Sequence, residues 1–117
     1  MIRKIAIDGN VTTIAGNGSK GAVNGKALNA QFNNIGGLAV DADGNIYFAE
    51  TGNNDIRKLS ASGDVTTVAG IAGWRGADNG PAAAASFNSP GGIVLTAKGE
   101  IFVADTYSNL IRKISSK

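Results

Sequence analysis

An internal duplication sets what this 117-residue chain can fold into. The triplet Ile-Arg-Lys begins at Ile2, Ile56 and Ile111, at spacings of 54 and 55. Val-Thr-Thr-x-Ala-Gly runs over Val11–Gly16 and again over Val65–Gly70. Ala-x-Phe-Asn recurs at Ala30–Asn33 and Ala85–Asn88, followed by the pairs Gly36-Gly37 and Gly91-Gly92. One residue inserted between Gly70 and Gly76 accounts for the unequal spacing, and about half of the aligned positions are identical. The chain is therefore two units, 2–55 and 56–110, plus the opening strand of a third at 111–115. Repeats of this length bury their apolar faces against one another rather than folding as separate domains.

Within each unit the apolar runs are short and rich in β-branched and aromatic residues, with Gly, Asn and Asp between them, which predicts strands and turns. Strands are expected over 2–7, 11–16, 37–41, 45–50, 55–60, 65–70, 92–96, 100–105 and 110–115. Asp8-Gly9-Asn10, Ala42-Asp43-Gly44, Ser62-Gly63-Asp64 and Ala97-Lys98-Gly99 read as hairpin turns in which Gly supplies positive φ. Two long loops, 17–36 and 71–91, are each expected to carry a helical turn, within Lys26–Phe32 and Ala82–Phe87. Ile46-Tyr-Phe-Ala49 and Ile101-Phe-Val-Ala104 are apolar on both sides, as in a strand covered on both faces. Four-stranded antiparallel meanders stacked face to face around an axis satisfy that pattern. The expected fold class is thus all-β, with β-propeller blades, two per chain.

Residues 37–59, Gly-Leu-Ala-Val-Asp-Ala-Asp-Gly-Asn-Ile-Tyr-Phe-Ala-Glu-Thr-Gly-Asn-Asn-Asp-Ile-Arg-Lys-Leu, closely resemble the NHL repeat, and Gly92–Ile114 repeats the pattern. The resemblance covers essentially the whole chain. Its long Ala-x-Phe-Asn loop is similar to the subgroup with blades of about 55 residues. The chain departs from the Asn-His-Leu that names the family: Asn-Asn-Asp stands at 53–55 and Ser-Asn-Leu at 108–110. Any role resting on that His does not transfer.

The resemblance implies a closed ring, most often of six blades. Two blades leave two apolar faces in water, so the expected partner is the chain itself, three copies completing six blades; rings of four and eight stay open. Counted from the axis, the chain starts at a third strand (2–7) and a fourth (11–16), and ends with a first, second and third. Residues 11–16 of a neighbouring copy are expected to supply the missing fourth strand by exchange. Since 2–7 and 110–115 are copies of one strand, one end, 1–7 or 110–117, is expected to be displaced. Two bare repeats also fit a propeller piece that was engineered or excised.

Composition narrows the chemistry. The chain has no His and no Cys, which removes His-based acid–base catalysis, Ser-His-Asp and Cys-His triads, zinc sites with those ligands and disulfides. The start, Met-Ile-Arg-Lys-Ile-Ala-Ile-Asp, has too short an apolar stretch for a signal peptide, no run of 18 apolar residues is present, and nothing assigns a compartment. Gly16-Asn-Gly-Ser-Lys-Gly21 fits a phosphate-loop pattern, but the second copy does not, and an inter-blade connection is the expected reading. Asp41-Ala-Asp43-Gly44-Asn45 begins like a calcium loop. Gly52 stands where the closing Glu should be, so a hairpin turn is expected, with no metal and no cofactor.

Glu50-Thr51 and Asp105-Thr106 pair a carboxylate with a hydroxyl at equivalent turns and are read as bracing the backbone there. Arg3-Lys4, Arg57-Lys58 and Arg112-Lys113 recur once per blade. They read as stems laid on apolar neighbours with charges in water, or alternatively as a basic ring for RNA. Net charge is only +2, short of a dedicated nucleic-acid binder. Trp74-Arg75, with Tyr107 and Lys20 on the same rim, is the candidate binding surface for a protein, peptide or glycan, although a Trp capping the end of the blade core is the equal alternative. The expected function is a non-enzymatic structural or binding module that self-assembles. A propeller lyase or hydrolase is the weaker alternative.

Overall fold

A computed structural model describes residues 1–115. Its ten strands are β1 (Ile2–Ile5), β2 (Val11–Ala15), β3 (Gly25–Lys26), β4 (Ile35–Val40), β5 (Ile46–Glu50), β6 (Asp55–Leu59), β7 (Asp64–Ala69), β8 (Pro90–Leu95), β9 (Ile101–Asp105) and β10 (Leu110–Ile114). All ladders are antiparallel. β4–β7 form a meander edged by β3, β8–β10 form a three-stranded sheet, and β1–β2 form a hairpin. The hairpin turns are tight because Gly9, Gly44, Gly63 and Gly99 sit at φ between 83° and 95°, and each donates its amide to the carbonyl three residues back.

The strand expectations hold to within two residues at most ends. Three points differ. Only one meander has all four strands among the described residues; the last sheet stops at its third. The long loop 17–36 adds the short edge strand β3, beside β7, which two residues reading Gly-Lys could not announce. Its helical turn is a 3₁₀ turn at Ala27–Asn29, whereas the corresponding stretch 82–87 holds only a turn in which Ala84 and Ala85 donate to Pro81. Of the candidate displaced end 110–117, Ser116 and Lys117 lie outside the described residues.

The β4–β7 and β8–β10 sheets stack through one core of Ala49, Ile56, Ala69, Ala85, Phe87, Ile93, Ile101 and Val103. A second core repeats it one unit earlier: Ile2, Ala15, Ala30, Phe32, Phe48, Leu59 and Val65. The hairpin β1–β2 thus stacks on the four-stranded sheet as that sheet stacks on β8–β10. At each junction a glycine with φ of 96° (Gly16) or 87° (Gly70) meets a phenylalanine ring edge. A Cβ on Gly70 would stand 3.0 Å from the Asn54 carbonyl oxygen and 3.1 Å from Phe87, while one on Gly9 meets nothing. Gly70→Ala is therefore expected to lower stability by about 2–4 kcal/mol, combining left-handed strain with overpacking. Gly9→Ala, which carries the strain alone, should cost about 1–2 kcal/mol; urea unfolding of the two variants measures the difference.

Candidate functional site

Two of the three arginines that recur once per repeat are not at the surface, while Arg3 and the neighbouring lysines Lys4 and Lys113 are exposed. Arg57, in the middle of β6, and Arg112, in β10, are buried, and each guanidinium meets a buried carboxylate from the adjacent strand: Glu50 at 2.9 Å and Asp105 at 2.8 Å. This corrects the expectation that these arginines hold their charges in water, and it removes them from any basic ring offered to RNA. Antiparallel pairing explains the geometry. Glu50 ends β5 and Arg57 follows the turn 51–54, so both point to one side of the sheet.

Each arginine also fastens the long loop to its sheet. Arg57 donates to the carbonyls of Gln31 (2.7 Å) and Val23 (2.7 Å) and to Asn24 Oδ1, with its guanidinium 5.0 Å from the centre of the Phe32 ring. Arg112 does the same toward Ser86, Asp78 and Asn79, over Phe87 at 4.9 Å. On the acid side, Glu50 accepts from the Asn33 amide (2.6 Å) and Asn53 Nδ2 (2.7 Å), and Asp105 accepts from the Asn88 amide (2.7 Å). A charge enclosed this way is neutralised and fully engaged. These bonds fix the loop to the blade.

Other candidates are likewise occupied. Asp41 accepts from the Asp43 amide and from both the amide and Nδ2 of Asn45, so its oxygens serve the hairpin turn. The Asn45 side chain, with these backbone bonds, holds its carboxyl below the usual range. In the loop 16–21 the amides of Gly16, Asn17, Ser19 and Gly21 all donate within the chain, to Ala27, Ala30, Asn17 Oδ1 and Phe32, which leaves no cradle for a phosphate. Trp74, Arg75, Tyr107 and Lys20 are exposed. Lys20 and Arg75 are equivalent, each bridging in parallel to its loop phenylalanine, and the four side chains form no hydrogen bond or ring contact with one another among the described residues. Lys20 lines a cavity of about 180 Å³ with Met1, Gly18 and Phe32.

The sequence reading missed two things. The first is Asp55, buried opposite Glu50, whose two carboxylate oxygens find no hydrogen-bond partner among the described residues. Burial, and then the Glu50 carboxylate, push its carboxyl up to about 7. The second copy carries Leu110 there, and that asymmetry was the available signal.

The second is a polar seam between sheets. Thr51 Oγ1 donates to the Pro90 carbonyl (2.7 Å), and the Ser89 amide donates to Asn54 Oδ1 (2.8 Å). The copies of Thr51 and Asn54, Thr106 and Asn109, are exposed at one end of the molecule, and the copies of Ser89 and Pro90, Asn34 and Ile35, lie at the other. The apolar halves follow suit. Ile56 is fully buried but its copy Ile111 is 75% exposed, and Ile93 is 9% exposed but its copy Leu38 is 47%.

The all-β architecture of stacked antiparallel sheets is that of propeller-like proteins. The model of the NHL repeat matches residues 87–114. The chain belongs to the NHL-repeat family. It is 38% identical over 79 residues to Protein SUPPRESSOR OF QUENCHING 1, chloroplastic, of Arabidopsis thaliana, covering 67% of this chain and 7% of that protein. A Bacteroides thetaiotaomicron protein of unknown function solved by structural genomics is 32% identical with a TM-score of 0.89, over 95% of this chain and 28% of that one. An auxiliary nutrient binding protein from the same organism is 27% identical with a TM-score of 0.77, over 97% of this chain and 31% of that one. The chain thus spans less than a third of the length of these relatives.

Two predictions follow from the buried charges. Glu50→Ala leaves Arg57 enclosed without its counter-charge and should cost about 3–5 kcal/mol in urea unfolding. For Asp55, the folded-state pKa lies above the ordinary 3.8. The fold therefore holds the proton more tightly than the unfolded chain, and this group's contribution declines as pH rises from about 4 to about 7. Asp55→Asn should match the parent near pH 3.5, below the ordinary carboxyl value of 3.8, and exceed it at pH 8 in unfolding midpoint; equal midpoints at both pH values would show that the carboxyl titrates normally.

Proposed function

We propose that this chain is a non-enzymatic structural and binding module whose two open faces are covered by further copies of itself, three chains closing one six-bladed propeller. The observation that carries this is the stacking contact between β4–β7 and β8–β10, which is complete inside the molecule, while its two halves stand uncovered at opposite ends. Val94, Phe102 and Ile111 repeat the face made by Ala39, Tyr47 and Ile56. Leu38 and Val40 repeat Ile93 and Leu95. Thr106 and Asn109 would meet Ile35 and Asn34 of the next copy as Thr51 and Asn54 meet Pro90 and Ser89. A face that already fits its own counterpart within the chain has that counterpart as its natural partner in trans, and a head-to-tail contact of this kind closes a ring. At about 25 cal/mol per Å² of apolar area removed from water, covering these faces favours assembly.

The exposed Trp74, Arg75, Tyr107 and Lys20 then recur around one rim of the ring and form its ligand surface, for a protein, peptide or glycan. The nutrient-binding description of one relative supports a binding role. The buried arginine–carboxylate pairs, with no His or Cys in the chain, support a role without catalysis.

Ile111→Glu puts a charge on the open face at a position that is solvent-exposed in the single chain. The variant should keep the parent's circular dichroism and lose its assembled mass in light scattering. If an assembled parent keeps its mass after this change, that face is not the contact.

A further inference from the structure

We infer that the groove beside β10 is a strand seat, and that its occupant is β2 of a second copy, whose own β1 is expelled in the exchange. The inference rests on the self-assembly reading and specifies how the contact is made.

The groove has a volume of about 350 Å³ and is lined by Asn79, Ala82, Ala85, Phe87, Arg112 and Ile114, among others. One unit earlier the same surroundings, built from Asn24, Ala27, Ala30, Phe32, Arg57 and Leu59, are filled by β7. There Val65 packs with Ala30, Phe32 and Leu59, and Asn24 Nδ2 donates to Thr67 Oγ1 at 3.1 Å. β2 carries β7's sequence almost unchanged, Val-Thr-Thr-Ile-Ala against Val-Thr-Thr-Val-Ala. Yet Val11 is 49% exposed where Val65 is 1% exposed, because no loop covers it. The groove lacks a strand, and β2 lacks a groove.

The internal example fixes the register. β6 pairs with β7 as Ile56↔Ala69, Arg57↔Thr67, Lys58↔Thr66 and Leu59↔Val65. Transposed by one unit, β10 takes β2 as Ile111↔Ala15, Arg112↔Thr13, Lys113↔Thr12 and Ile114↔Val11. β2 need not leave its own chain for this: Ala15 stays packed with Ala30 and Phe32, and the incoming sheet approaches the side of β2 that faces away from that core loop.

That side is held by β1, which pairs with β2 in the same register, Lys4 opposite Thr12. β1 and β10 therefore compete for one place. β10 arrives with Arg112 already in its buried pair with Asp105 and bound to loop 78–86. Arg3, its copy in β1, is exposed and forms no ion pair among the described residues. Seating Arg3 in the partner would first require withdrawing Arg112 and leaving Asp105 buried without its counter-charge, so β1 is the strand that leaves. Ile111 then takes over the packing that Ile2 gives up.

Two double-cysteine variants test this, since the chain has no cysteine of its own and Lys4, Thr12 and Lys113 are all exposed. Thr12→Cys with Lys113→Cys places the pair across the proposed junction, at the Cα separation that cross-strand neighbours share with disulfides. Lys4→Cys with Thr12→Cys places it across β1–β2 within one chain. The assembled fraction is isolated by size, oxidised mildly and run without reductant. The first variant should appear as chains linked to one another, at most of the material, and the second should remain unlinked. Intrachain linkage of the second variant in the assembled fraction, or linkage of neither, overturns the strand seat while leaving self-assembly standing. An assembled fraction missing even in the parent overturns both.

Discussion

The fold depends on a buried guanidinium. In each repeat an arginine in the third strand meets a carboxylate from the second and, through its remaining N–H groups, takes hold of carbonyls in a loop more than twenty residues earlier in the chain. A sheet of five-residue strands with three-residue turns needs no such device. The long loop does, because it has little regular structure of its own and must nonetheless lie along the sheet to seat its phenylalanine between one blade and the next. Breaking the pair leaves an uncompensated charge in the interior, so loop and sheet are held together by the cost of parting them as much as by the strength of the bond.

The same contact viewed along the chain explains why one molecule is unfinished. Each sheet presents one face to the sheet before it and another to the sheet after it. The central sheet is stacked on both sides, fully toward β8–β10 and in its outer half toward the β1–β2 hairpin. The terminal faces carry the residues that are buried in the middle: Ile111 for Ile56, Leu38 for Ile93, Val11 for Val65. Exposed apolar residues scattered singly on a surface mean little. Here each exposed residue has a buried twin whose partners are known, and copies of those partners are present at the other end of the same chain.

Much of this was legible in the sequence because the duplication displays its own alignment. The period located the strands, the recurring Gly located the hairpin turns, and the double apolar runs at 46–49 and 101–104 marked strands covered on both faces. The arginines were misplaced because a basic residue on a short strand ordinarily lies on the surface, and nothing local says that a carboxylate seven residues earlier will face it across a turn. β3 was missed because its two residues pair only through tertiary placement of the loop. Asp55 stood out only as a mismatch between copies, and its burial depends on tertiary placement, with Glu50 opposite it and Gly70 against its backbone.

The central claim is that the open ends of one chain are covered by other copies. The solution mass of the unmodified chain tests it most directly, by light scattering across a range of concentrations. Three chains of 11.8 kDa predict a single species of about 35 kDa. A monodisperse species of 11.8 kDa at every concentration would contradict it.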